Sequence, residues 1–409
     1  ASSTAREARA LGVHVPFAPC VDVNTEPRNP IIATRSAGSD PERVSRLARA
    51  FIRGCRAEGG LTGLKHYPGH GMSAGDSHDI TPAVDASPEE MRDIHLRPFR
   101  EILAGDGADM VMTAHLWYRN VEPEKPWPAT LSHYFNTELL RGEFGYGGLL
   151  VSDAYNMKGL MNAIEDPAER VIVGIENGLD VVLDPPHVGE VFSGIKQAID
   201  EGRLTQERIE RSVRRVLAAK CRAGLHRDWR PNPEWRSVLR HPAHREKVAE
   251  VCEKAVTWIR GKVSVPATDR VLVVALQGRQ RIFYRFPPSP FVTALREHCE
   301  DVEFARAENP LREADARRIL ESAEKAERVV VLGFDWFAVS DTAQIDLVKK
   351  LAERRPEMAF VCFGSPAQAM DLPTVGHVLG CFASVPEMQR QAGRVLSGKT
   401  EALGANPLV

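Results

Sequence analysis

Four short apolar runs in the first half of this chain each end in polar, titratable side chains. That repetition constrains the fold more than any other feature. The runs at residues 13–23, 61–65, 110–115 and 149–153 lead into Asp22 and Asn24, Lys65 and His66, His115, and Asp153. A fifth run follows at 179–183, and amphipathic stretches such as 42–58 and 88–103 lie between them. Such alternation reads as βα units sharing a parallel sheet. An open doubly wound sheet collects function at one switch point, whereas a (β/α)8 barrel gathers it from the C-terminal ends of several strands. Chemistry at four strand ends therefore predicts an N-terminal TIM-type barrel. Five strands do not close it, and the chain opens on a helix already under way at Ala1 to Glu7. The expectation is that two or three N-terminal βα units, on the order of 100 residues at barrel proportions, precede this sequence.

At 409 residues the chain exceeds one ordinary core. The barrel is expected over 1–225 and ends in a helix at 204–224, with Thr205 as its cap and a stripe of Ile209, Val213, Val216 and Leu217. A Pro/Trp-rich connector and a helix at 244–260 occupy 226–261. From 262 to 409 five further apolar runs, at 270–276, 302–306, 328–334, 358–364 and 377–382, alternate with helical patterns at 290–298, 313–325, 342–353 and 386–396. They predict a C-terminal α/β sandwich. Gly364-Ser365-Pro366 is no nucleotide fingerprint, so no cofactor is expected.

Charge narrows the partners. Lys plus Arg number 53 and Asp plus Glu 55, so 53 − 55 = −2, which argues against nucleic acid or an anionic membrane. No apolar run approaches the ~20 residues of a membrane helix. The seven Cys are scattered and lack CxxC spacing, which favours buried thiols in a reducing, cytoplasmic compartment, with export the alternative.

The densest chemistry is Lys65-His66-Tyr67-Pro68-Gly69-His70-Gly71 followed by Asp76-Ser77-His78, a Lys, three His and an Asp within 14 residues. Asp76 beside His78 suits a carboxylate that fixes an imidazole's tautomer, or simply a bonded loop pair. His66, His70, Asp76 and His78 could instead hold a metal, but Pro68 and Gly69 oppose the helix that would aim the first two at one ion. Asp153 directly after a buried run suits a fixed carboxylate aimed at substrate, or a helix N-cap. Arg35 suits bidentate contacts to hydroxyls, or a surface ion pair.

Together these segments resemble glycoside hydrolase family 3, in its β-N-acetylglucosaminidase branch. The matching pieces are Gly12-Val13 through Phe17-Ala18-Pro19-Cys20-Val21-Asp22-Val23, then Asn29-Pro30, Arg35-Ser36 and Asp40-Pro41, then the Lys-His and Asp-Ser-His motifs. Ala114-His115, Val151-Ser152-Asp153 with Met157 and Gly159, and the helix from Arg211 to Leu225 follow. The second half is similar more loosely, best at residues 329–334 with Asp335 and Gln344.

The resemblance implies a retaining exo-enzyme that removes terminal β-linked N-acetylglucosamine from small glycans, with peptidoglycan fragments as the substrate class. It implies Asp153 as nucleophile, His78 as general acid/base oriented by Asp76, and Arg35, Lys65 and His66 as sugar-hydroxyl ligands. Met157 would line the pocket near the N-acetyl group, and neither metal nor cofactor is required. Arg35 and Lys65 would keep Asp153 ionised. A neutral His beside the intermediate would repel phosphate less than a carboxylate would, which leaves a β-N-acetylglucosaminide phosphorylase as an alternative. A catalytically inactive sugar-binding homologue is another. The family's β-glucosidases take their acid from a second-domain Glu, for which this chain has no counterpart.

Overall fold

The computed structural model describes residues 1–74, 81–124, 126–278, 287–334 and 341–405. The chain divides into two compact units, Ala1–His241 and Pro242–Val409.

In the first unit the strands are β1 (Gly63–Tyr67), β2 (Ala83–Val84), β3 (Met110–Thr113), β4 (Trp117–Tyr118), β5 (Leu149–Ala154) and β6 (Val181–Leu183). The main sheet runs β1-β3-β5-β6, every pair parallel and in chain order, which is the order of a barrel wall. Alternation splits the wall's side chains between two faces. Leu64, Val111 and Leu150 enter the larger core with the helices, while Met110, Met112, Leu149 and Val151 form a second cluster with Ala219 and Ala223.

Residues 13–23, expected as a strand, run extended beside β1, and among the described residues they form one bridge, Cys20 to Lys65. Val21 N donates to Lys65 O at 2.8 Å and Gly63 N to Ala18 O at 2.9 Å. Pro16 and Pro19 have no N–H to give, which thins the ladder.

Helix Pro41–Ala57 matches its pattern. Asp40 caps it through Glu42 N at 3.0 Å, and Val44, Ala48, Ile52 and Cys55 form its buried stripe. The stretch 88–103 is broken, however, into Pro88–Glu90, a π turn at Met91–His95, and Arg97–Ala104. Leu96 N reaches back five residues to Met91 O at 2.8 Å, just ahead of Pro98, which cannot donate.

Helix Gln206–Arg222 is capped by Thr205 as expected. Its stripe is not one buried face, because Val213 and Leu217 are exposed. The inward side carries Arg208, Ser212 and Arg215 to the fully buried carboxylate of Asp180. Ser212 Oγ donates to it at 2.6 Å, Arg215 Nη1 at 2.9 Å and Arg141 Nη2 at 2.7 Å. A buried ionic cluster requires those donors, so it sets the helix's rotation.

The second unit holds β7 (Thr257–Arg260), β8 (Val271–Leu276), β9 (Val302–Ala307), β10 (Arg328–Gly333), β11 (Ala359–Cys362) and β12 (His377–Gly380) in the order β7-β12-β11-β10-β8-β9. All pairs are parallel except β7 with β12. One face packs on helices Ser289–Arg296 and Pro386–Leu396, the other on Glu313–Lys325 and Thr342–Arg354, which makes an α/β sandwich. The helix expected at 244–260 stops at Ala255, and Thr257–Arg260 is a strand. Its Thr-Trp-Ile run favours β structure, and it pairs antiparallel with β12. Among the described residues no helix is long and apolar enough to cross a membrane.

Candidate active site

The Lys65–Gly71 motif folds down onto residues 22–29, and that docking explains its glycines. A Cβ on Gly71 would collide with the Val23 carbonyl oxygen. Gly71 O instead accepts from Glu26 N at 3.1 Å. Gly69 has φ +134°, where a side chain would also meet His95 Cβ at 2.8 Å. The Tyr67 hydroxyl donates to Phe135 O at 2.9 Å and the Tyr118 hydroxyl to Gly69 O at 2.5 Å, both inside the core.

Asp22 is the anchor of this arrangement and is fully buried. Its Oδ1 accepts from His70 N at 2.7 Å and its Oδ2 from His66 Nδ1 at 2.7 Å. The His66 backbone N lies 3.1 Å from both oxygens, and Cys20 Sγ donates to Oδ2 at 3.1 Å. Burial raises the carboxyl's pKa, but His66, His70 and the Cys20 thiol outweigh it and hold the group well below the usual carboxylate range. An ionised carboxylate only accepts, so His66 carries a proton on Nδ1 and turns Nε2 outward. That Nε2 lies 3.9 Å from Asp153 Oδ2.

Asp153 sits on β5, with its side chain 26% exposed. It caps no helix, since Met157 takes the N-cap of Lys158–Met161. Its Oδ1 accepts from Ala154 N at 2.8 Å. Burial raises its pKa, but His66, His115, the Ala154 N–H and Lys65 together leave it lowered. At Lys65, burial and then Arg35 lower the pKa, against Cys20, Asp153 and Asp22. Cys20's own thiol is raised well above its ordinary range by burial and by Asp22, so it remains a donor rather than a nucleophile.

Arg35 closes the 3-10 turn Ala33–Arg35. Asn29 builds that turn. Its Oδ1 accepts from Ile31 N at 2.9 Å and Ile32 N at 2.7 Å, while its Nδ2 donates to His70 O at 2.7 Å. Arg35 Nε then donates to Ile31 O at 2.9 Å, and among the described residues no carboxylate pairs with the guanidinium. Met157 is buried four residues past Asp153.

The structure thus brings Lys65, His66 and Asp153 together, with Arg35 beside Lys65. Asp76 and His78 lie outside the described residues, as does Asp335. The metal alternative rests on His66, His70, Asp76 and His78, and the last two lie outside the described residues. Cys20, Asp22 and His66 have ligand atoms within 4.8 Å of one another, yet each is hydrogen-bonded within the cluster.

Two residues matter more than the sequence suggested. Asp22 was legible only as a polar strand end, though Val-Asp-Val, an acid between two residues that become buried, signals a buried carboxylate. His115 is the other. It is 1% exposed, its Nε2 meets Ala154 O at 3.0 Å and its Nδ1 meets Thr130 Oγ1 at 2.7 Å, so it braces the backbone next to Asp153.

The family model described as "Glycosyl hydrolase family 3 N terminal domain" matches residues 1–219. A curated relative, β-hexosaminidase A of Pseudoalteromonas piscicida, is 33% identical over 303 residues, 69% of this chain and 50% of that protein. The β-N-acetylglucosaminidase/β-glucosidase of Cellulomonas fimi is 28% identical over 430 residues, 98% of this chain and 75% of that protein. The chain therefore spans half the length of the first of these relatives. Among solved structures, a family 3 β-N-acetylglucosaminidase from Paenibacillus sp. FPU-7 superposes with TM-score 0.90 at 29% identity, covering 100% of this chain and 80% of that one.

Proposed function

The chain belongs to glycoside hydrolase family 3, and from that membership we propose that it hydrolyses terminal β-linked N-acetylglucosamine from small glycans, peptidoglycan fragments among them. The names of its relatives support the sugar. The observation that carries the reading is a partly exposed carboxylate, Asp153, kept ionised at a strand end with His66 Nε2 3.9 Å away.

The reaction is a double displacement with retention. An Asp153 oxygen bonds to the anomeric carbon while the bond to the leaving oxygen breaks, and protonated His78 gives that oxygen its proton. Water then attacks the same carbon, His78 takes the water's proton, and the Asp153 carboxylate leaves. Asp76 orients His78. Lys65, His66 and Arg35 hold the ring hydroxyls, and Met157 borders the N-acetyl group. Asp22 contributes indirectly, by fixing which nitrogen of His66 faces the sugar.

Chromatography of products from N,N′-diacetylchitobiose, with and without phosphate, tests this. Free N-acetylglucosamine in both cases is the expected result. Sugar 1-phosphate, formed only with phosphate present, would make the protein a phosphorylase. No release of either product by folded protein would refute the enzymatic reading.

A further inference from the structure

We propose that the cleft walled by Trp117 and Trp127 is the subsite for the leaving-group sugar, an assignment that rests on the glycosidase reading above. The cleft encloses about 360 Å³ and is lined by Thr81, Ala83, Trp117, Trp127 and Asn162, among others. That volume suits a single ring rather than an extended chain, since ligand clefts run from ~300 to 1,000 Å³.

Its position follows from the topology. Its walls come from the segments after β1, β3 and β5, the three strands that lead into Lys65 and His66, His115, and Asp153. Thr81 Oγ1 donates to Gly159 O, which ties the first of these segments to the short helix that follows Asp153. β2 and β4 pair Ala83 with Trp117, which joins the first segment to the second. Trp117 follows His115 by two residues, and His115 Nε2 lies 3.0 Å from Ala154 O. The cleft therefore opens on the same end of the wall as the carboxylate.

Its chemistry matches a pyranose. One face of such a ring is all C–H and stacks on an indole, while its rim is hydroxyl and needs amide or hydroxyl partners. The indole of Trp117 is held in place, with Nε1 donating to Glu122 O at 2.8 Å and the Arg119 guanidinium 5.3 Å from its ring centroid. Trp127 packs its other parts on the core, so its ring is also a rigid wall. The exposed side chain of Asn162 supplies the polar edge, and among the described residues no carboxylate lines the cleft.

The test compares two donors that share N-acetylglucosamine but differ in leaving group: N,N′-diacetylchitobiose, which leaves as a sugar, and N-acetylglucosaminyl fluoride, which has no ring to stack. Trp127→Ala should lower the ratio of kcat/KM for the disaccharide over that for the fluoride about tenfold, and Trp127→Phe should restore most of it. Equal losses on both donors, or no loss on the disaccharide, would overturn the subsite. A second readout does not need turnover. With 5-fluorotryptophan incorporated, the ¹⁹F signals of Trp117 and Trp127, identified with the two Trp→Phe variants, should shift on adding the disaccharide to Asp153→Asn protein. Monomeric N-acetylglucosamine, which is also the leaving sugar, should shift them only at higher concentration than the disaccharide. Signals that stay still at saturating disaccharide overturn the subsite. Shifted signals in a protein that shows no hydrolysis would support the subsite while removing the hydrolase reading.

Discussion

Replacing Asp22 by Asn isolates one claim of this account, that a fully buried carboxylate sets the state of the site without touching the sugar. Four donor groups converge on it: the backbone N–H groups of His66 and His70, His66 Nδ1 and the Cys20 thiol. Asn keeps one oxygen, enough for the two backbone donors. Its amide nitrogen then faces Cys20 and His66 Nδ1, donor against donor. Two charge-assisted bonds are lost at about 1.5–3 kcal/mol each, and His66 recovers roughly 1 kcal/mol by moving its proton to Nε2. The expected loss of stability is therefore about 2–5 kcal/mol. Asp22→Ala strands every donor and should cost more than Asn. Loss of the Nδ1 anchor also loosens the imidazole whose Nε2 faces Asp153 and the pocket, so kcat/KM should fall about 10- to 100-fold in protein that is still folded. Urea unfolding followed by circular dichroism gives the first number, steady-state kinetics the second, and ¹⁵N imidazole shifts read the tautomer directly. An Asn variant with wild-type stability, activity and His66 tautomer would refute the reasoning.

Three further outcomes are expected. Gly71→Ala drives a methyl into the Val23 carbonyl and should cost about 2–4 kcal/mol, read as a lower thermal midpoint; an unchanged midpoint would show that the 22–26 loop yields freely. Burial pushes the pKa values of His70 and His95 down to about 4, so the unfolded chain binds more protons between pH 6.5 and 4. Their contribution to stability should fall as pH drops through that window and level off below it, where protonation of buried carboxylates such as Asp22 continues the loss. Both ring nitrogens of His95 are buried without a hydrogen bond, so His95→Leu should be neutral or stabilising at pH 7 and should make the acid limb shallower; an unaltered limb would exclude His95 from it. His78→Ala should impair substrates with basic leaving groups far more than activated aryl glycosides, and equal impairment would argue against an acid role.

The two-domain α/β architecture was legible because both signals it needs are local: apolar runs of strand length and amphipathic stretches between them. Polar residues at the ends of neighbouring strands foretold that Lys65, His66 and Asp153 would meet. The misreadings have particular causes. At 244–260 an amphipathic pattern ran on into Thr257–Arg260, whose pairing with β12 depends on residues more than a hundred positions away. Val213 and Leu217 looked like core because the pull of Asp180 on the polar side of their helix is a tertiary effect. Asp22 was underrated for a similar reason. Nothing near it in sequence announces that a cluster of donors from residues 66 and 70 will close around it, and only the folding of the glycine-rich motif onto 22–26 does so.

The central claim is that Asp153 becomes covalently bonded to the sugar. Mass spectrometry of protein treated with a 5-fluoro N-acetylglucosaminyl donor, followed by peptide mapping, tests it most directly. The account predicts an increment of one sugar on the peptide that carries Asp153, absent from Asp153→Ala protein. A sugar found on another carboxylate, or no adduct from protein that turns over N-acetylglucosaminides, would contradict it.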